Sequence, residues 1–177
     1  MEWFDEGLNR GARAVPAGYE SVLDTSRFGP PRRWSRFFVP TTTAEGADSA
    51  MREEFRVRGL AEPISHYTDA VRYGDLLFIS GVAPIDENAM LVGGEDVTAQ
   101  ARQVFINMKI ILEAAGATFD KVLKVTVYLT NVADRTKINP IRQEFFGAAR
   151  PASTLIGVRE LAIPGMKVEV EAVVGLK

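Results

Sequence analysis

The chain has 177 residues and a formal net charge of −2, a near-neutral balance that gives no general pull towards nucleic acid, and no apolar run approaches the ~20 residues of a membrane span. A chain of this length fits one domain plus an extension, and it can bury roughly two-thirds of its unfolded surface without covalent staples. There is no cysteine and one histidine, His66, which excludes a disulfide framework, a thiolate nucleophile and a thiolate or histidine-rich metal centre, leaving carboxylate-only sites.

The start, MEWFDEGLNR, carries acids and lacks the basic-then-apolar order of a secretory leader, so a cytoplasmic protein is expected. Residues 1–60 differ in character from the rest. They hold Pro30-Pro31, Arg32-Arg33 and Thr41-Thr42-Thr43, with apolar residues scattered at no sustained period. Trp3, Phe4, Trp34, Phe37 and Phe38 are too many aromatics for a disordered tail. An irregular extension is expected, with a short strand near residues 34–39, followed by an α+β domain over residues 61–177.

Residues 69–73 and 76–80 read as two strands joined tightly at Gly74-Asp75, since glycine beside aspartate supplies the positive φ that hairpin turns demand. The second strand is apolar on both faces, as a covered central strand would be. It ends at Ser80-Gly81, where a glycine permits close approach of a ligand or marks a plain bulge. Gly93-Gly94 precedes the clearest helix. There Val97, Ala101, Val104, Phe105, Met108, Ile111, Leu112 and Ala115 form a one-sided stripe, with Asp96 as its N-cap and Gly116 as its left-handed C-terminal cap.

Residues 122–129 form a strand expected to turn Leu123, Val125, Val127 and Leu129 inward and Lys124, Thr126 and Tyr128 outward. A second helix spans about 134–146 and ends near Gly147. Pro140 would disturb its interior, and one resolution starts the regular helix at Asn139 as N-cap with Pro140 next. Two strands follow, at 153–158 and 166–174, with Pro164-Gly165 as the turn between them. In the last strand Val168, Val170, Ala172 and Val174 share one face, while Glu169 and Glu171 stand roughly 7 Å apart on the other. A solvated polar face explains that pattern without any site. The order fits a sheet with both helices on one face. The other face carries Val173, Tyr128 and Phe78 or Leu77, which calls for a cover from another subunit. No phosphate-binding glycine loop or nucleophile elbow is present, and no cofactor or metal is expected.

Six runs stand in a characteristic order and spacing: Tyr73-Gly74-Asp75 through Ile79-Ser80-Gly81, Thr98-Ala99-Gln100-Ala101-Arg102-Gln103, Glu113-Ala114-Ala115-Gly116, the run from Val122 to Tyr128, Arg150-Pro151-Ala152, and Val168-Glu169-Val170-Glu171-Ala172. Together, over residues 63–177, they resemble the YjgF/RidA family, the reactive intermediate deaminases, older members of which were called endoribonucleases or translation inhibitors. The resemblance implies a chorismate-mutase-like α+β fold, a mixed sheet with two helices on one face, and a homotrimer with ligand clefts at its subunit interfaces. It places the family's cleft tyrosine on Tyr67, its strand-end pair on Ser80 and Gly81, its helix asparagine on Asn139 and its C-strand glutamate on Glu169. Glu169 is then the general acid/base, its pKa raised by interface burial. Asn139 can act there and as an N-cap at once. His66 falls outside the family's catalytic pattern.

One departure carries weight. Where deaminating members hold the substrate carboxylate with an arginine after Pro-Ala, this chain has Ser153, and the family's frequent cysteine is Leu155. A hydroxyl offers one donor and no charge where a guanidinium offers a fork and a permanent charge. Losing charge-assisted contacts of about 1.5–3 kcal/mol weakens a small imino acid by roughly tenfold to over a hundredfold. Either the ligand differs or another arginine supplies the charge, with Arg150, Arg142, Arg159 and Arg32-Arg33 as candidates. The changed ligand is preferred. The expected function is hydrolysis of an enamine or imine to release ammonia, with an altered small-molecule substrate. The alternatives are a non-catalytic metabolite binder, which Ser153 favours, and a ribonuclease, which the charge of −2 opposes.

Overall fold

The protein was analysed as a computed structural model that describes residues 52–177. The strand expected near residues 34–39 and the Arg32-Arg33 pair lie outside the described residues.

Six strands, β1 (Glu53–Phe55), β2 (Ala70–Tyr73), β3 (Leu76–Val82), β4 (Val122–Leu129), β5 (Ala152–Gly157) and β6 (Val168–Gly175), and two helices, α1 (Val97–Ala114) and α2 (Arg135–Phe146), make up the fold. The strands form one sheet in the order β1-β2-β3-β6-β4-β5. Every pairing is antiparallel except β4 with β5, and that parallel pair is bridged by α2, as a parallel connection requires. The mixed sheet with two helices is therefore present. Among the described residues no helix is long and apolar enough to cross a membrane.

The β2–β3 hairpin closes as its sequence demands. Tyr73 pairs with Leu76, leaving Gly74-Asp75 as a two-residue loop, and Gly74 alone takes a positive φ, 59°. Helix α1 begins where the Asp96 side chain accepts from the Thr98 N–H at 2.8 Å. It ends in a Schellman arrangement, with the Ala117 N–H donating to Leu112 O at 2.8 Å and the Gly116 N–H to Glu113 O at 3.1 Å. Its stripe from Val97 to Leu112 is buried against the sheet, each large side chain contributing about 1.5–3 kcal/mol. Phe105 meets Phe119, Phe145 and Phe146 at ring distances of 5.5–6.3 Å, which fastens α1 to α2.

Three expectations are corrected, and the expected Pro164-Gly165 turn is found between strands that are not neighbours in the sheet. The sheet begins at β1, inside the stretch assigned to the extension, because Glu53, Glu54 and Phe55 pair with Arg72, Val71 and Ala70. Leu123 points outward and is 53% exposed, because a bulge at the start of β4 pairs Val122 with Val174 but Lys124 with Val173, flipping one residue. Pro164-Gly165 does make a tight turn, with the Met166 N–H on Ile163 O at 3.1 Å and Gly165 at φ 87°, but it does not pair the strands around it. β6 lies between β3 and β4, and β5 is on the far side of β4. Helix α2 starts at Arg135 and runs through Pro140, so Asn139 is in its second turn and is not its cap. Pro140 is tolerated because it and Thr136, whose carbonyl loses the usual bond, are both exposed to water.

Along β6 the alternation holds. Val168, Val170, Ala172 and Val174 are buried beneath the helices, and Glu169, Glu171 and Val173 turn to the opposite face. That face, bare of helices among the described residues, is mixed: beside Glu169 and Glu171 it exposes the apolar side chains of Leu76, Phe78, Leu123 and Ile156.

Candidate functional site

The β3–β6 pairing slips between Ile79 and Val82: Ile79 pairs with Ala172 and Val82 with Val170, so Ser80 and Gly81 together oppose Glu171. This bulge aims Gly81 at the neighbouring Glu169. A Cβ built on Gly81 would lie 1.9 Å from Glu169 Oε1 and 3.0 Å from its Cδ. The missing side chain is thus the space in which the carboxyl group sits. Conformational freedom is not the reason for this glycine, since its φ is outside the left-handed region.

Glu169 is half-buried. Burial, with Glu171 adding like-charge repulsion, pushes its carboxyl above the ordinary range. Tyr128 pairs with Glu169 across β4, and its hydroxyl is pushed up by burial, by Glu171 and by Glu169, so it stays protonated as a donor. A hollow of about 400 Å³ opens beside the carboxyl. Tyr67, Ser80, Gly81 and Glu169 form its polar corner, and Ile64, Ile85, Ile163 and Met166 form apolar walls that the sequence alone did not single out. Tyr67 is 48% exposed, its ring open to a ligand or to a second chain.

Ser80 is placed differently from expectation. Its hydroxyl donates to Thr68 O at 2.6 Å and its N–H to Asp69 O at 3.0 Å. Both donors hold the Tyr67-Thr68-Asp69 segment against β3, so Ser80 shapes the hollow without donating into it.

Gln100 was likewise not anticipated as a site support. It is fully buried in the apolar stripe of α1. Its amide donates to Gly94 O at 2.6 Å and Gly165 O at 2.9 Å, and its carbonyl accepts from the Lys167 N–H at 2.7 Å. It ties the 163–166 wall of the hollow to the helix. The signal available in the sequence was an amide interrupting an otherwise apolar stripe. His66 is exposed, and among the described residues no cluster of three or more histidines and acids is able to hold a metal ion.

Asn139 and Ser153 are not in this hollow. Ser153 pairs with Val125, which is buried beneath the helices, whereas Glu169 points to the bare face. The two expected halves of the site therefore occupy opposite faces of the sheet in one copy. Near Ser153 a second hollow, about 430 Å³, is lined by Asn139, Arg142, Gln143 and Arg150. Arg142 Nη2 donates to Ser153 Oγ at 3.1 Å. Burial holds that guanidinium below its usual range. Among the described residues, Arg142 is the candidate arginine whose guanidinium bonds Ser153, while Arg159 is exposed and not among the residues lining either hollow.

Residues 59–175 match the family model described as endoribonuclease L-PSP. Among curated relatives, a RutC family protein of Pyrococcus horikoshii is 38% identical over 123 residues, covering 70% of this chain and 97% of that protein. A protein of Dermatophagoides farinae named 2-iminobutanoate/2-iminopropanoate deaminase is 36% identical, covering 64% of this chain and 88% of that protein. Among solved structures, a member of the conserved Rid protein family from Yersinia pestis superposes with a TM-score of 0.67 at 30% identity, over 71% of this chain and 99% of that one.

Proposed function

The chain belongs to the endoribonuclease L-PSP family, the YjgF/RidA proteins, and from that membership we propose that it hydrolyses a small enamine or imine, releasing ammonia. The observation that carries this reading is the Glu169 carboxyl, half-buried, pushed up in pKa and seated in the space left by Gly81, at the edge of a hollow of about 400 Å³. A carboxyl with a raised pKa holds a proton longer than an ordinary one and can both give and take it, which is what C=N hydrolysis asks of it.

The steps balance with water alone. In its imine form the substrate accepts a proton on nitrogen, and water adds to the carbon as Glu169 takes a proton from it. The resulting carbinolamine receives that proton on its amino group and expels ammonia as the C=O forms, its hydroxyl proton passing to Glu169 and so replacing the one the imine nitrogen took up at the start. The Gly81 backbone at the strand end would stabilise the oxygen that gains charge, and Tyr67, which lines the hollow, would orient the ligand. Because Asn139, Arg142 and Ser153 occupy the opposite sheet face, completing the site takes a second copy. The apolar side chains exposed on the helix-free face, Leu76, Phe78, Leu123 and Ile156, support assembly into the homotrimer that the sequence leads one to expect.

Purified protein incubated with 2-aminoacrylate, or its butanoate homologue, generated in situ should release ammonia faster than the spontaneous blank. Glu169→Gln should remove the excess. No excess from the wild-type chain on either compound would overturn the reading. Serine at position 153 favours a second reading, a binder without catalysis. It is supported if a small acid stabilises the protein thermally and is recovered unchanged.

A further inference from the structure

Arg142 is half-buried, yet among the described residues no carboxylate lies within ion-pair distance of it. Its one side-chain hydrogen-bond partner there is the neutral Ser153 hydroxyl. Arg56, Arg72 and Arg102, by contrast, each have an acid beside them. A cation withdrawn from water without an opposing charge is costly unless an anion arrives from outside. The hollow in front of it points the same way. Its polar lining consists of Asn139, Arg142, Gln143 and Arg150: two guanidiniums, two amides and no acid. Such a lining donates hydrogen bonds and repels cations. A planar guanidinium also matches a carboxylate with two parallel N–H···O bonds.

We infer that Arg142 is the residue that grips the carboxylate of this protein's ligand, doing from helix α2 what an arginine at position 153 on β5 would otherwise do. The contact of 3.1 Å between Arg142 Nη2 and Ser153 Oγ brings the guanidinium to the end of the residue-153 side chain. Ser153 steadies it there, and the small side chain leaves the fork room to receive a ligand. Arg150 and Asn139 supply further donors on the rim. The ligand class is a small 2-oxo, 2-imino or 2-amino acid, its carboxylate held here and its C2 carbon presented to a Glu169 contributed by a neighbouring copy. This assignment rests on the deaminase reading for the identity of the substrate, but the anion grip itself can be measured without turnover.

The test is calorimetric titration of the full chain with three probes: 2-oxobutanoate, the uncharged butanone and inorganic phosphate. 2-Oxobutanoate should bind, butanone should not, and phosphate should bind more weakly than the oxo acid. Arg142→Met should weaken 2-oxobutanoate by about ten- to a hundredfold, the loss of one to two charge-assisted contacts. Arg142→Lys should fall between, because a point charge lacks the fork. The double change Arg142→Met with Ser153→Arg should recover much of the binding, which a merely structural role for Arg142 would not allow. Far-ultraviolet circular dichroism checks that each variant is folded. Unchanged affinity in folded Arg142→Met, no binding of 2-oxobutanoate by the wild-type chain, or tighter binding of phosphate overturns the inference. Ammonia release that continues undiminished in Arg142→Met overturns this inference and leaves the deaminase standing. Arg142-dependent binding of 2-oxobutanoate without any ammonia release does the reverse.

Discussion

Replacing Gly81 with alanine is a sharp test of the site, because the structure fixes what the new methyl group meets. Its carbon would start 1.9 Å from Glu169 Oε1, and ordinary contact begins at 3.4 Å, so the oxygen must retreat by about 1.5 Å. The obstacle is the far end of a flexible side chain, and the backbone at Gly81 has no positive φ that alanine would strain. Moving Glu169 off its preferred rotamer costs about 0.5–1.5 kcal/mol, which lowers the melting temperature by only a few degrees. Catalysis is far more sensitive. A misplacement of about 1 Å costs on the order of a hundredfold in rate, or about 2.7 kcal/mol of transition-state stabilisation. Gly81→Ala should therefore fold, melt within several degrees of the wild-type chain, and lose about two orders of magnitude in kcat/KM for ammonia release. Glu169→Gln should lose at least as much, and the double variant should be no worse than Glu169→Gln, since both changes disable one group. Gly81→Ala activity within about threefold of wild type would refute the claim that this carboxyl works from this position. Losses that multiply in the double variant would refute the claim that the glycine acts through the glutamate.

Glu169 also sets a pH signature. Its folded pKa is raised, so it favours folding below the ordinary glutamate value of about 4.3, and that contribution is lost as pH rises through the raised folded value. Melting curves from pH 4 to pH 8 should show Glu169→Gln gaining on wild type as pH rises; a constant difference would contradict the burial of this group. Gln100→Ala removes three buried hydrogen bonds and leaves a cavity, and should cost roughly 2–5 kcal/mol in urea denaturation. A loss under 1 kcal/mol would mean that water replaces the amide. Phe78→Glu puts a charge among the exposed apolar side chains of the helix-free face. The wild-type chain should sediment at about three times 19.4 kDa and the variant as smaller species, whereas a wild-type monomer would remove the shared-site reading.

The periodic elements were legible in the sequence because their signals are local. β4 and α1 are found where period two and the stripe from Val97 to Leu112 place them, and Asp96 and Gly116 cap α1 as expected. What the sequence concealed depends on pairing between distant strands. Leu123 follows the alternation of β4 on paper, and only the bulge against β6 turns it outward. The span of about 134–146 was legible, and only the alternative start at Asn139 suggested by Pro140 fails, a local signal overridden by packing of α2 on α1. Glu169 and Gly81 were both identifiable, but their contact was not, since 88 residues separate them. For the missing strand arginine the sequence offered several substitutes without ranking them and leaned towards a changed ligand. Arg142, on α2, is found hydrogen-bonded to Ser153, and that contact is what favours a relocated charge over a changed ligand in the inference drawn above.

The position of β6 has a consequence for how the molecule is made. It is the last of these six strands to leave the ribosome, yet it belongs at the centre of the sheet, between β3 and β4. Until it emerges, β1-β2-β3 and β4-β5 are two fragments with no hydrogen-bonded edge in common. Folding during synthesis must therefore wait, with the β3 and β4 edges open to any passing extended peptide. A premature stop before Val168 would remove the keystone between two ribbons, and the product should be aggregation-prone rather than merely shorter.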